Sequence, residues 1–185
     1  MKVAFLDRDG VINVDHGYVG NWNEFDFLPN AIEGMRLLQD LGYSLFVVTN
    51  QSGIARGFYS EAEFVHLTST VEKYLQDFGV TIQRTYFCPH HPVAGIGKYL
   101  KDCDCRKPKP GLIMQCAEKY DVDLHESILV GDKMSDYFAG KAAGVGRLFL
   151  IDSVYLEEHK DLVEKMFVYR DLLEVSEQLS KSSSR

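Results

Sequence analysis

The sequence predicts an α/β fold of the Rossmann-like, doubly wound kind: a parallel sheet covered by helices on both faces, with a minimal cap and one inserted loop. Three observations carry this. Short apolar runs with β-branched content alternate with amphipathic segments along the chain. Polar residues stand immediately after several of those runs. One Pro- and Gly-rich stretch interrupts the alternation. The 185 residues are 45% hydrophobic and 25% charged, which suits a globular chain and excludes wholesale disorder. They are read as a single domain over residues 1–185.

Val3–Leu6 is the first strand. The next helix starts at Asn30, with Glu33 closing a capping box and Gly42 stopping it; Ile32, Leu38 and Leu41 supply its inner face. Tyr43–Val48 is the second strand. Ser60 and Glu63 form another capping box, followed at helical spacing by Phe64, Leu67, Val71, Tyr74, Leu75 and Phe78, with Gly79 as the stop. A third strand covers Thr81–Phe87. The irregular segment Cys88–Gly111 then holds four of the five prolines. Leu112–Tyr120 is a helix, Ser127–Val130 a strand, Met134–Ala143 a helix and Arg147–Ile151 a strand. Val154–Leu179 is charged and predicted helical, and Lys181–Arg185 is a frayed tail.

The net charge of −7 excludes a general binder of nucleic acid or anionic membrane. No apolar run approaches the roughly 20 residues of a membrane span. The first residues, MKVAFLDRDG, are interrupted by acid too early for a signal peptide, so the expected compartment is the cytoplasm.

In an open parallel sheet the carboxyl ends of neighbouring strands share one crevice. That places Asp7 and Asp9, which follow the first strand, beside Thr49 and Asn50 after the second and Asp132 after the fourth. Three carboxylates so close cannot all stay ionised without compensation. A hard divalent cation supplies it, and Mg²⁺ suits a site with few protein carboxylates and a phosphate ligand. Lys107, stiffened by the prolines of Arg106-Lys107-Pro108-Lys109-Pro110, brings positive charge from the other side.

The segment after the third strand reads C-x-H-x12-C-x-C. Cys88, His90, Cys103 and Cys105 match a closed tetrahedral Zn²⁺ site, which has no open position for water and is therefore structural. The zinc loop spans residues 88–105. His91 has the wrong parity beside Cys88 and is left out. Cys116 reads as core.

Asp7-Arg8-Asp9-Gly10, Val48-Thr49-Asn50, Lys107-Pro108-Lys109-Pro110 and Gly131-Asp132-Lys133-Met134-Ser135-Asp136 stand in order along the chain. Together they resemble the four motifs of the haloacid dehalogenase superfamily. The resemblance implies a phosphatase. Asp7 would take the phosphoryl group, and Asp9 would protonate the leaving alkoxide and then activate water. Thr49 and Lys107 would hold phosphoryl oxygens. Mg²⁺ would be bound by Asp7, the Asp9 carbonyl and Asp132, with Asp136 orienting groups behind them.

The zinc pattern, with FLDRDGVIN, Val47–Gly57, CPHHP and Cys103–Gly111, narrows the resemblance to the histidinol-phosphatase and heptose-bisphosphatase branch. Carried over, Asp15, His16, Gly17 and Tyr18, together with Thr49, Asn50, Gln51 and Ser52, would contact substrate. Arg106 would meet a second phosphate, and Lys133 would lie near the reacting one. The implied partner is a small sugar phosphate, with no nucleic acid and no membrane, and the chain is expected to be a monomer. The implied activity is removal of the C7 phosphate of a heptose 1,7-bisphosphate on the way to nucleotide-activated heptose for surface glycans. A histidinol-phosphate phosphatase is the same-class alternative, and a non-catalytic zinc-loop binding module the alternative of another class.

Overall fold

The computed structural model describes residues 1–163 and 166–183, so Ser184 and Arg185 of the expected tail lie outside the described residues. Six strands form one sheet: β1 (Val3–Leu6), β2 (Ser44–Asn50), β3 (Ile82–Cys88), β4 (Ile128–Gly131), β5 (Arg147–Ile151) and β6 (Val168–Tyr169). Their order is β3-β2-β1-β4-β5-β6, and every pairing is parallel. This is the doubly wound arrangement, whose order reverses around β1.

The helices are α1 (Ala31–Asp40), α2 (Ser52–Ala55), α3 (Glu61–Gln76), α4 (Gly111–Tyr120), α5 (Met134–Ala143), α6 (Lys160–Val163) and α7 (Leu172–Ser183). Strand residues alternate between two cores because successive side chains point to opposite faces. Ala4, Leu6, Leu45, Val47, Ile128 and Val130 face Met35 and Leu38 of α1, Leu67 of α3 and Val175 of α7. Val3, Phe5, Phe46, Val48 and Leu129 face Leu112 and Cys116 of α4 and Ala139 of α5. Both faces are therefore covered, as the near-continuous apolar strands require. Among the described residues no helix is long and apolar enough to cross a membrane.

Three local expectations change and one is met. Asn30 sits at the start of α1 but in the left-handed region (φ 63°) and makes no side-chain cap; its amide donates to Asp171 Oδ2 at 2.8 Å instead. The Ser60–Glu63 capping box is present. Tyr74 and Phe78 do not join the inner face of α3: they are 36% and 44% exposed, and Tyr74 stacks outside on Phe27 and tilts against Trp22. The C-terminal segment is not one helix. It runs as a 3-10 turn (Val154–His159), α6, the edge strand β6 and then α7, which continues through Lys181 to Ser183.

Candidate active site

Asp7 follows β1 directly, and its backbone N–H donates to Val130 O at 3.0 Å, so the turn after β1 is tied to β4. Its side chain is buried, as are those of Asp132 and Asp136 after β4. One carboxylate oxygen of each lies within 4.8 Å of the others. Lys107 reaches this cluster from beneath. Its ammonium donates to Val48 O at 2.7 Å and forms ion pairs with Asp7 Oδ1 at 2.9 Å and with Asp136 Oδ1. Asn50 fixes the Lys107 backbone from both sides: the Lys107 N–H donates to Asn50 Oδ1, and Asn50 Nδ2 donates to Lys107 O, each at 3.0 Å. The Asn50 amide is thus committed to placing Lys107.

One ammonium does not balance three buried carboxylates. Burial pushes Asp7 up to about 6, against the pull of Lys107, and burial with the charge of Asp7 pushes Asp132 up to about 8. Lys107 is held above its usual range because Asp136 and Asp7 outweigh its burial. Asp132 Oδ1 is buried without a hydrogen-bond partner. Gly10 (φ 87°) leaves the room above it: a Cβ there would lie 2.3 Å from Asp132 Oδ2. An orphaned anionic oxygen among buried carboxylates is the donor set of a hard cation, so the residues present fit Mg²⁺.

Asp9 points to the other side. Arg8 grips its carboxylate with Nε at 3.1 Å and Nη2 at 2.8 Å, and Asn13 Nδ2 and Gln51 Nε2 each donate to it at 3.0 Å. Arg8, which sequence reasoning passed over, is only 5% exposed, with its guanidinium near the rings of Phe25 and Phe64. Thr49 is buried and accepts from Gln51 Nε2 at 2.8 Å. Tyr59, also missed, donates its hydroxyl to Gln51 Oε1 at 2.6 Å. Neither Arg8 nor Tyr59 belongs to a spacing pattern; each is found only once the loops close.

The other expected contacts divide. Asp15 Oδ2 accepts from Lys133 Nζ and from Tyr155 Oη, each at 3.0 Å, and the ammonium of Lys133 lies 4.0 Å from the centre of the Tyr155 ring. Burial alone would raise the Asp15 carboxyl, but Lys133 holds it below the usual range. Lys133 also lies 4.0 Å from Asp132 Oδ2, at the rim of the carboxylate cluster. His16 pairs with Asp26 at 2.7 Å. Together with Gly17, Tyr18, Phe58 and Tyr59 they line an open hollow of about 700 Å³. Ser52 opens α2 next to Gln51. Arg106 donates Nη1 to His90 O at 3.2 Å, which leaves most of its fork unspent.

The sulfur cluster is separate. Cys88 Sγ lies 3.5 Å from Cys103 Sγ and 3.8 Å from His90 Nδ1, and Cys105 Sγ lies 3.3 Å from Cys103 Sγ and 3.4 Å from His90 Nδ1. Ligands at Zn–S of about 2.3 Å and Zn–N of about 2.0 Å in a tetrahedron stand roughly 3.5–3.8 Å apart, so the four donors fit Zn²⁺. His91 is turned away, and its Nδ1 accepts from the N–H groups of Val93 and Ala94.

Sheet order and site together define a phosphatase of the haloacid dehalogenase superfamily. A family model described as polynucleotide kinase 3 phosphatase matches residues 2–168, and the chain belongs to that family. It is 50% identical over 148 residues to a D-glycero-beta-D-manno-heptose-1,7-bisphosphate 7-phosphatase of Vibrio cholerae, covering 80% of each chain. It is 47% identical over 151 residues to a D-glycero-alpha-D-manno-heptose-1,7-bisphosphate 7-phosphatase of Photorhabdus laumondii, covering 82% of each. Among solved structures it resembles the D,D-heptose 1,7-bisphosphate phosphatase of B. bronchiseptica complexed with magnesium and phosphate. There the TM-score is 0.84 at 33% identity, over 98% of this chain and 99% of that one.

Proposed function

We propose that this phosphatase removes the C7 phosphate of D-glycero-D-manno-heptose 1,7-bisphosphate through a phosphoryl group carried on Asp7, in the synthesis of nucleotide-activated heptose. The observation that carries the reading is the convergence of Asp7, Lys107 and the unpartnered Asp132 oxygen in one buried cluster at the carboxyl ends of β1 and β4. The relatives named above act on this substrate class.

Asp7 Oδ1 already accepts from Arg8 N at 2.7 Å and from Lys107, so Oδ2 is the oxygen left to attack phosphorus. The C7 alkoxide departs with a proton from Asp9, which then takes a proton from the water that cleaves the aspartyl-phosphate. Arg8, Asn13 and Gln51 hold Asp9 at its post. Thr49 donates to a phosphoryl oxygen, and Lys107 balances the charge on Asp7. Mg²⁺, held by Asp7, Asp132 and the Asp9 carbonyl, would supply further neutralisation of the phosphoryl oxygens. Arg106 faces the C1 phosphate with the free part of its fork. The hollow lined by the paired rings of Tyr18 and Phe58 takes the sugar, and its acidic lining (Glu24, Asp26, Glu63) suits hydroxyl donors.

The test is kcat/KM with Mg²⁺ for both anomers of the heptose bisphosphate and for histidinol phosphate. A preference of about 100-fold or more for a bisphosphate is expected, since a site built around a charged partner rejects substrates that lack it. A preference for histidinol phosphate would overturn the substrate. No turnover of any ester would favour a binding module.

A further inference from the structure

We propose that Tyr59 is a positioning residue for phosphoryl transfer: its hydroxyl fixes which way the Gln51 amide faces, and that amide sets both the Asp9 carboxylate and the Thr49 hydroxyl. This rests on the reading of Asp9 as the proton donor to the leaving oxygen.

Gln51 is 2% exposed, and its backbone N–H is bonded to Cys88 O at 2.8 Å, which pins it to the end of β3. What remains to be set is the orientation of its amide. The two hydrogens of Nε2 go to Asp9 Oδ2 at 3.0 Å and Thr49 Oγ1 at 2.8 Å, while Oε1 receives the Tyr59 hydroxyl at 2.6 Å. The reverse orientation would set Oε1 against the Asp9 carboxylate, acceptor against acceptor, and NH₂ against the phenol. It would also take the Thr49 proton inward. In the observed orientation Thr49 Oγ1 accepts from Gln51 and keeps its own proton to give to a phosphoryl oxygen. One donor polarity therefore runs from Tyr59 through Gln51 to Thr49, with a branch to Asp9.

The ring of Tyr59 is held for this task. A Cβ on Gly20 would lie 2.4 Å from its Cδ1, and one on Gly53 would lie 2.4 Å from its Cε1. Two glycines, Gly20 in the loop after β1 and Gly53 in α2, thus leave just the slot the ring fills. Burial pushes the phenol up to about 12, so it stays a donor at neutral pH.

An alkyl oxygen needs a proton as it leaves, whereas p-nitrophenolate leaves without one. A misplaced Asp9 therefore slows the heptose bisphosphate more than p-nitrophenyl phosphate, and a general loosening of the fold slows both alike. In Tyr59→Phe, which keeps the ring in its slot, the ratio of kcat/KM for the sugar phosphate to that for the aryl phosphate is expected to fall about 10-fold, the scale of one lost hydrogen bond in a catalytic chain. Gln51→Glu, which removes the NH₂ at constant length, should lower the same ratio further. Asp9→Asn should collapse it. If Asp9→Asn collapses the ratio while Tyr59→Phe and Gln51→Glu leave it unchanged, the relay is overturned and the role of Asp9 stands. If Asp9→Asn leaves the ratio unchanged, both fall.

Discussion

Asp7 and Asp132 are brought together by the ends of β1 and β4, with Asp136 added from α5, whereas His90, Cys103 and Cys105 are brought to Cys88, the last residue of β3, by a single loop. The first cluster stands on β1 and β4, whose residues are all buried, so any chain that packs those strands has already assembled it. The loop has less support: Cys88 and Cys103 are buried against Leu112 and Cys116 of α4, but much of the chain between them is exposed. Its apolar residues Val93, Ile96 and Leu100 are 82%, 65% and 52% exposed, and its regular structure is one short turn at Gly97–Tyr99. A metal held by the four donors would take the place of the core that this stretch lacks. The fold thus guarantees the reacting groups, while the loop would depend on its ion. The two meet at Lys107, two residues beyond Cys105.

Three experiments break or sharpen that contrast. Asp7→Asn should lower kcat by about 1000-fold or more, the scale for a lost nucleophile, while the melting temperature stays within a few degrees because the buried cluster loses a charge it did not fully balance. Retained activity would show that another group attacks phosphorus. Asn50→Ala should lower kcat/KM by about 10- to 100-fold, since it removes both hydrogen bonds that place the Lys107 backbone. A smaller loss would mean that the sulfur loop alone suffices to hold Lys107. Stripping zinc with a chelator that spares Mg²⁺ should cost less, about 3- to 10-fold in kcat, because Asn50 still anchors Lys107. Amide exchange should rise across residues 88–105 and stay slow in β1 and β4. Full activity without zinc would separate the two clusters entirely.

The strands that carry the site were legible because each is a buried run bounded by turn residues, and their ends fell within two residues of the observed ones. β6 was not, since Val168–Tyr169 is too short to show a period and is a strand only because β5 lies beside it. Asn30 looked like a cap because nothing local reveals Asp171, its partner across the chain. The residues of the two candidate metal clusters could be singled out because ligand chemistry restricts residue type and spacing. Arg8 could not, since an arginine after an aspartate reads as solvated until burial is known. Asn50 was expected to face substrate, and its two bonds to the Lys107 backbone became visible only when β2 and the loop before α4 were seen side by side.

The family match ends at residue 168, yet α7 lies beyond it and covers α1. Leu172, Val175 and Leu179 are at most 1% exposed, and Ser176 Oγ donates to Gly34 O at 3.0 Å, where a Cβ would strike the Leu172 backbone at 2.8 Å. Covering three such side chains contributes about 5–9 kcal/mol, comparable to the whole net stability of a small domain. The border of the family match is therefore not the border of cooperative folding: a chain trimmed to that match would bare the underside of its first helix, and position 34 can drift only in step with the helix that rests on it.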